Sequence, residues 1–129
     1  MNKISDASVV DALRRQMTIA VAKQVASAGN LANIDTPGYK TKEVTFSDAL
    51  KSKLAPANST FPATSQSAGE DLGLGQKEVD GLTARRDGNN VQIDRELLSM
   101  GKAAGDFSAA QTALAAKFRL VRYAINEGK

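Results

Sequence analysis

The feature that most constrains this chain is an unbroken alternation of four- and three-residue spacings across its last third. Ile93, Leu97, Met100, Ala104, Phe107, Gln111, Leu114, Phe118, Val121 and Ile125 follow it throughout, and eight of these ten positions are large and apolar. A strand cannot gather such residues on one face, because its side chains alternate with period two. A helix can, and an average spacing of 3.5 makes the narrow apolar seam of a coiled coil. The pattern predicts a helix over 92–126. Asp94 and Glu96 fall in its first turn and Lys117, Arg119 and Arg122 toward its end, the charge order that the backbone dipole favours. With Asp94 as cap, Ile93 is placed to staple against Leu98. Gly101 and Gly105 run against the pattern, since each costs about 1 kcal/mol relative to Ala in a helix interior. They read either as a site of close backbone approach or as a soft point that orders on packing.

A second track runs through Val10, Leu13, Met17, Ala20, Gln24, Ser27, Leu31 and Ile34, widened by Val21, Val25, Ala28 and Ala32. It predicts a helix over 6–33 with Ser5 or Asp6 as its cap. That helix must stop before Pro37, which pushes the preceding residue toward extended geometry. Thr36-Pro37-Gly38 then reads as a turn with Pro at its second position and Gly at its third, a type II arrangement. Between the helices the composition changes. Of the 30 residues from Lys51 to Asp80, 18 are Ala, Gly, Pro, Ser, Thr, Asn or Gln, too polar and small to offset their own ordering entropy. Residues 34–91 are therefore expected to hold the turn and an extended, flexible middle, with a short strand near Glu43 to Phe46 and a second turn at Asp87-Gly88-Asn89-Asn90. The fold class is mainly α: one unit spanning 1–129, its two long terminal helices pairing as an antiparallel coiled coil around a largely irregular middle.

Composition narrows the function. The chain has no Cys and no His, so disulfides, thiol nucleophiles, His-liganded metals and His proton shuttles are excluded. No cofactor and no small-molecule substrate is expected. The carboxylates Asp87, Asp94 and Glu96 beside a glycine turn are explained by a turn and a helix start, and catalysis is not expected. The net charge of +3 is spread evenly: residues 1–34 carry four basic and two acidic groups, 35–91 seven and eight, and 92–129 six and four. Without a basic cluster no nucleic-acid partner is expected. No 18-residue apolar run suggests a membrane span. Two striped helices form an incomplete core, and outer-face residues such as Ile19, Val21, Leu98 and Leu120 need further cover, which head-to-tail self-assembly would supply.

The run Asn30-Leu31-Ala32-Asn33-Ile34-Asp35-Thr36-Pro37-Gly38-Tyr39-Lys40 closely resembles the signature of the bacterial flagellar rod and hook protein family. Val44 to Leu50, Asp87 to Glu96, Lys117-Phe118-Arg119 and Tyr123-Ala124-Ile125 are also similar to the pattern of its proximal rod members, while 51–80 is unmatched. The resemblance implies a structural, non-enzymatic subunit of the basal-body rod, the axial drive shaft crossing the periplasm. It implies passage through the flagellar type III export gate without a cleaved signal peptide. Implied neighbours are other copies of the chain, the rod protein FlgC, the adaptor FliE and the MS-ring protein FliF. The alternative is a small helical adaptor, or another axial rod component of the FlgC type, joining ring and rod.

The residues expected at assembly interfaces are Asn30, Asn33, Thr36, Pro37, Gly38 and Tyr39 of the signature, with Leu97, Met100, Phe107, Leu114, Phe118 and Val121 of the seam. Phe46 and Leu50, four apart, resemble the short element that early flagellar export substrates present to the export gate. Packing on the terminal helices explains that pair equally well.

Overall fold

The computed structural model describes residues 6–46 and 74–126. In chain order they form α1 (Asp6–Ala32), β1 (Lys42–Phe46), β2 (Leu74–Glu78) and α2 (Ile93–Asn126). α1 runs 27 residues and α2 34, so the two terminal helices dominate, as the spacings predicted. None of the described helices is long and apolar enough to cross a membrane.

Three cross-helix bonds fix how the helices pair. Lys117 Nζ donates to Asp6 Oδ1 (2.6 Å), Ser27 Oγ to Ser99 Oγ (3.1 Å) and Asn30 Nδ2 to Glu96 Oε2 (2.9 Å). Numbers rise along α1 as they fall along α2, so the pair is antiparallel. The buried contact surface is made of small or polar residues: Ala20, Ala26, Ser27 and Asn30 on α1, Glu96, Ala103 and Ala110 on α2. Short side chains let two backbones lie close together, and they hide little apolar area in doing so.

On α1 the sequence track is the packed face, with Ala20 and Ser27 buried and Val10, Leu13, Met17, Gln24 and Leu31 half-buried. On α2 only half of the seam is. Met100, Phe107 and Leu114 are half-buried against α1, but the positions between them are Glu96, Ala103, Ala110 and Lys117 rather than Leu97, Ala104, Gln111 and Phe118. One of the two heptad positions has moved by a residue. The reason is local: both helices bury small side chains where they meet, Ala20 and Ser27 on α1 and Ala103 and Ala110 on α2. Turning Leu97 inward would turn Glu96 away from Asn30.

The cap of α2 lies two positions before the expected Asp94. The Glu96 amide donates to the Gln92 carbonyl (3.1 Å), so Gln92 holds the cap position and Asp94 sits inside the first turn. α2 passes through Gly101 and Gly105 unbroken, and a methyl group built on either would meet nothing within 4 Å. Nothing in the described chain approaches these glycines.

The described part of the middle holds one strand more than its composition implied. β1 falls where a short strand was expected, but β2 lies inside the stretch read as irregular. It pairs antiparallel with β1 in the register Lys42↔Glu78, Val44↔Gln76 and Phe46↔Leu74. Its sequence, Leu-Gly-Gln-Lys-Glu, has one large apolar residue and a glycine, so no local pattern announces it. The ladder with β1, whose Val44 is buried, holds it in place.

Candidate functional site

α1 ends by tightening. Asn33 N reaches both Gly29 O and Asn30 O (3.2 Å each), Ile34 N reaches Leu31 O (3.2 Å) and Thr36 N reaches Asn33 O (3.0 Å). The shift from four- to three-residue bonds closes a helix while using its last carbonyls. The next turn is the one the sequence predicted: Tyr39 N donates to Thr36 O (3.3 Å), and Gly38, third in the turn, has φ +73°. Pro37 supplies the fixed φ of the second position. A second left-handed glycine, Gly88 (φ +83°), lies against the first, and a Cβ on Gly88 would come 3.5 Å from Gly38 Cα. The two glycine turns face each other backbone to backbone. Gly38 N donates to Asp87 O (2.8 Å) and Lys40 Nζ to Gly88 O (3.0 Å).

Three asparagines hold this elbow. Asn30, 1% exposed, uses all four of its hydrogen-bonding positions: its amide donates to Lys42 O (2.8 Å) and Glu96 Oε2 (2.9 Å), and its oxygen accepts from Lys42 N (2.9 Å) and Tyr39 Oη (3.2 Å). It thus ties α1, the turn, β1 and α2 together. Asn89, fully buried, donates to Asn33 O (2.9 Å) and Thr36 O (2.8 Å) and accepts from Val91 N (2.8 Å). An amide from the second half of the chain therefore caps the end of α1. Asn90 accepts from the amide of Thr41, also fully buried, at 2.6 Å and donates to Val79 O (3.4 Å). Every buried side-chain nitrogen and oxygen among the described residues has a partner.

The remaining signature residues support this frame. Asn33 donates to Gly29 O (2.8 Å) and accepts from Thr36 Oγ1 (3.2 Å). The Tyr39 ring lies 5.9 Å beneath Lys42 Nζ. Two of the three carboxylates flagged in the sequence are engaged as well: Asp87 Oδ1 accepts from Asn89 N (3.1 Å), and Glu96, 3% exposed, faces Asn30 and lies 3.6 Å from the Arg95 guanidinium. Arg95 also bonds Glu43 of β1 (3.2 Å).

The structure thus brings Asn30, Asn33, Thr36, Pro37, Gly38 and Tyr39 into one elbow, and places the seam residues elsewhere. Met100, Phe107 and Leu114 line the helix pair. Leu97 and Phe118 are 55% and 56% exposed, and Val121 is exposed too. Leu98, Leu120, Tyr123, Ile125 and Ile93 are likewise exposed, and on α1 so are Val21 and Val25. Phe46 ends β1 opposite Leu74, while Leu50 lies outside the described residues. Sequence reasoning did not assign Asn89, Asn90, Thr41 or Glu96 to the elbow. The signal for them was the Asp-Gly-Asn-Asn run, legible as a turn but not as the partner of a helix end 56 residues earlier.

The elbow is polar and glycine-tight and joins two antiparallel helices, and large apolar side chains remain exposed on both of them. No family model matches the chain. It is 32% identical over 104 residues to the flagellar basal body rod protein FlgB of Borrelia hermsii, covering 70% of this chain and 76% of the relative. It is 27% identical over 119 residues to FlgB of Bacillus subtilis (strain 168), covering 91% and 92%. The chain belongs to the FlgB family of flagellar basal body rod proteins.

Proposed function

We propose that the chain is a building block of the proximal rod, the axial drive shaft that crosses the periplasm, and that it self-assembles through its terminal helices. Its export runs through the flagellar type III gate with the N-terminus uncleaved, and its neighbours are further copies, the rod protein FlgC, the adaptor FliE and the MS-ring protein FliF. The observation carrying this reading is α2 itself, along which Ile93, Leu97, Leu98, Phe118, Leu120, Val121, Tyr123 and Ile125 stand exposed, five of them past Lys117, the partner of Asp6 at the start of α1. Isolated large hydrophobics on a surface are ordinary, but eight on a single helix call for cover. Neighbouring helices of a rod provide such cover, and the heptad repeat suits helix-on-helix packing.

A tagged copy expressed in cells lacking the native protein tests the proposal. It should restore motility, co-purify with basal bodies and lie in the rod in many copies. Recovery at a small fixed stoichiometry at the ring, with no copies along the rod, would favour the adaptor reading.

A further inference from the structure

The buried surface between the helices offers little to set their alignment. Small buried side chains recur seven residues apart on both helices, Ala20 and Ser27 on α1 and Ala103 and Ala110 on α2, and so do the half-buried Met100, Phe107 and Leu114 beside them. Sliding α2 by one heptad, about 10.5 Å at 1.5 Å per residue, would put Ala110, Phe107 and Leu114 where Ala103, Met100 and Phe107 now lie, with Asp106 in the place of Ser99 and Lys117 in that of Ala110. Packing alone distinguishes the two alignments poorly. The 14 residues 79–92 carry no helix or strand and leave chain enough for such a slide.

What distinguishes the alignments is polar. Only with Ser27 beside Ser99 does Glu96, 3% exposed, meet the Asn30 amide. Only then does Asn89 reach the carbonyls of Asn33 and Thr36 at the end of α1. A slide that brought Asp106 to the level of Ser27 would leave the carboxylate of Glu96, the amide of Asn30 and the end of α1 without these partners. An isolated polar group in a helical seam commonly acts this way, giving up stability to reject other registers.

We infer that the Asn30–Glu96 contact together with Asn89 is a register pin: it selects one of two heptad-related alignments of the hairpin, and so fixes how far α2 projects beyond α1. Among the described residues α2 runs past Lys117, the partner of Asp6 at the start of α1, to Asn126. The pin therefore sets the length of free helix carrying Leu120, Val121, Tyr123 and Ile125. This inference concerns the single chain and stands apart from what the rod contacts.

The chain has no cysteine, which makes the test direct. Two reporter pairs are placed in the full-length protein: S27C with S99C for the observed register, and S27C with D106C for the slid one. On mild oxidation the parent should form the 27–99 disulfide and less than about a tenth as much 27–106. Adding N30L, E96L and N89A should raise the 27–106 product at least tenfold while the circular dichroism signal of the helices is kept. E96Q, which keeps an oxygen to accept the Asn30 amide, should retain the parent pattern. Exclusive 27–99 linkage in the triple variant would overturn the inference. Loss of helix in that variant would overturn it too, by making the elbow a requirement for folding rather than for alignment.

Discussion

Asn89 is where a single side chain does most to join the two halves of the chain. Its amide serves two carbonyls at the end of α1 and its oxygen one backbone amide, all with no exposure to water. Replacing it by Ala leaves those backbone groups buried without partners, each at a cost of about 1–3 kcal/mol. We expect Asn89→Ala to lower the stability of the folded chain by roughly 3 kcal/mol, read as a shift in the urea midpoint with the slope unchanged. A change below about 0.5 kcal/mol would mean that water takes over these bonds. Gly88 makes a second residue-scale case. Its left-handed backbone sits against Gly38, so Gly88→Ala adds strain of about 1–2 kcal/mol, whereas Gly101→Ala meets open space and favourable helical geometry.

That contrast carries over to the element scale. Because no part of the described chain approaches Gly101 or Gly105, their replacement by Ala should stabilise α2 by about 1 kcal/mol each and raise its thermal midpoint. If the double variant is more stable in isolation yet assembles poorly in cells, a neighbouring helix lies close over these glycines in the rod; if its midpoint falls, the helix-interior account of them is wrong. Both helices were legible in the sequence to within a residue at most described ends, because a long period-3.5 pattern is hard to mistake. The Thr36–Tyr39 turn was legible as well, since Pro and Gly restrict backbone angles locally. The face of α2 was not. Leu97 and Glu96 are neighbours in sequence, and an apolar pattern favours Leu97 at the seam, while Asn30 draws Glu96 in from a position 66 residues away. β2 was missed for a related reason, as its order comes from pairing with β1. Phe46 and Leu50 remain proposed as the export-gate element. Changing both to Ala should hold the subunit inside the cell at normal abundance, and normal export with failed assembly would assign the pair to packing instead.

At the scale of the whole molecule, the buried and the exposed residues of α2 make different demands. The buried residues, Ala103 and Ala110 on α2 with Ala20 and Ser27 on α1, hold the hairpin together, and an Asp at Ala103 should unfold it, since an unpaired charge buried there costs several kcal/mol. The exposed residues Leu97, Phe118 and Val121, the last two beside the first turns of α1, contribute less to the single chain because each is more than two-fifths exposed. The rest of their apolar area would leave water only under a neighbouring chain. The central claim is that this exposed flank is the assembly surface of a rod subunit, and one measurement reaches it most directly: swimming of cells whose only copy carries Phe118→Asp, scored beside export of the variant and the helical circular dichroism signal of the purified chain. The account predicts export and helix content equal to the parent, with no rod and no swimming. Normal swimming with Asp at position 118 would contradict it.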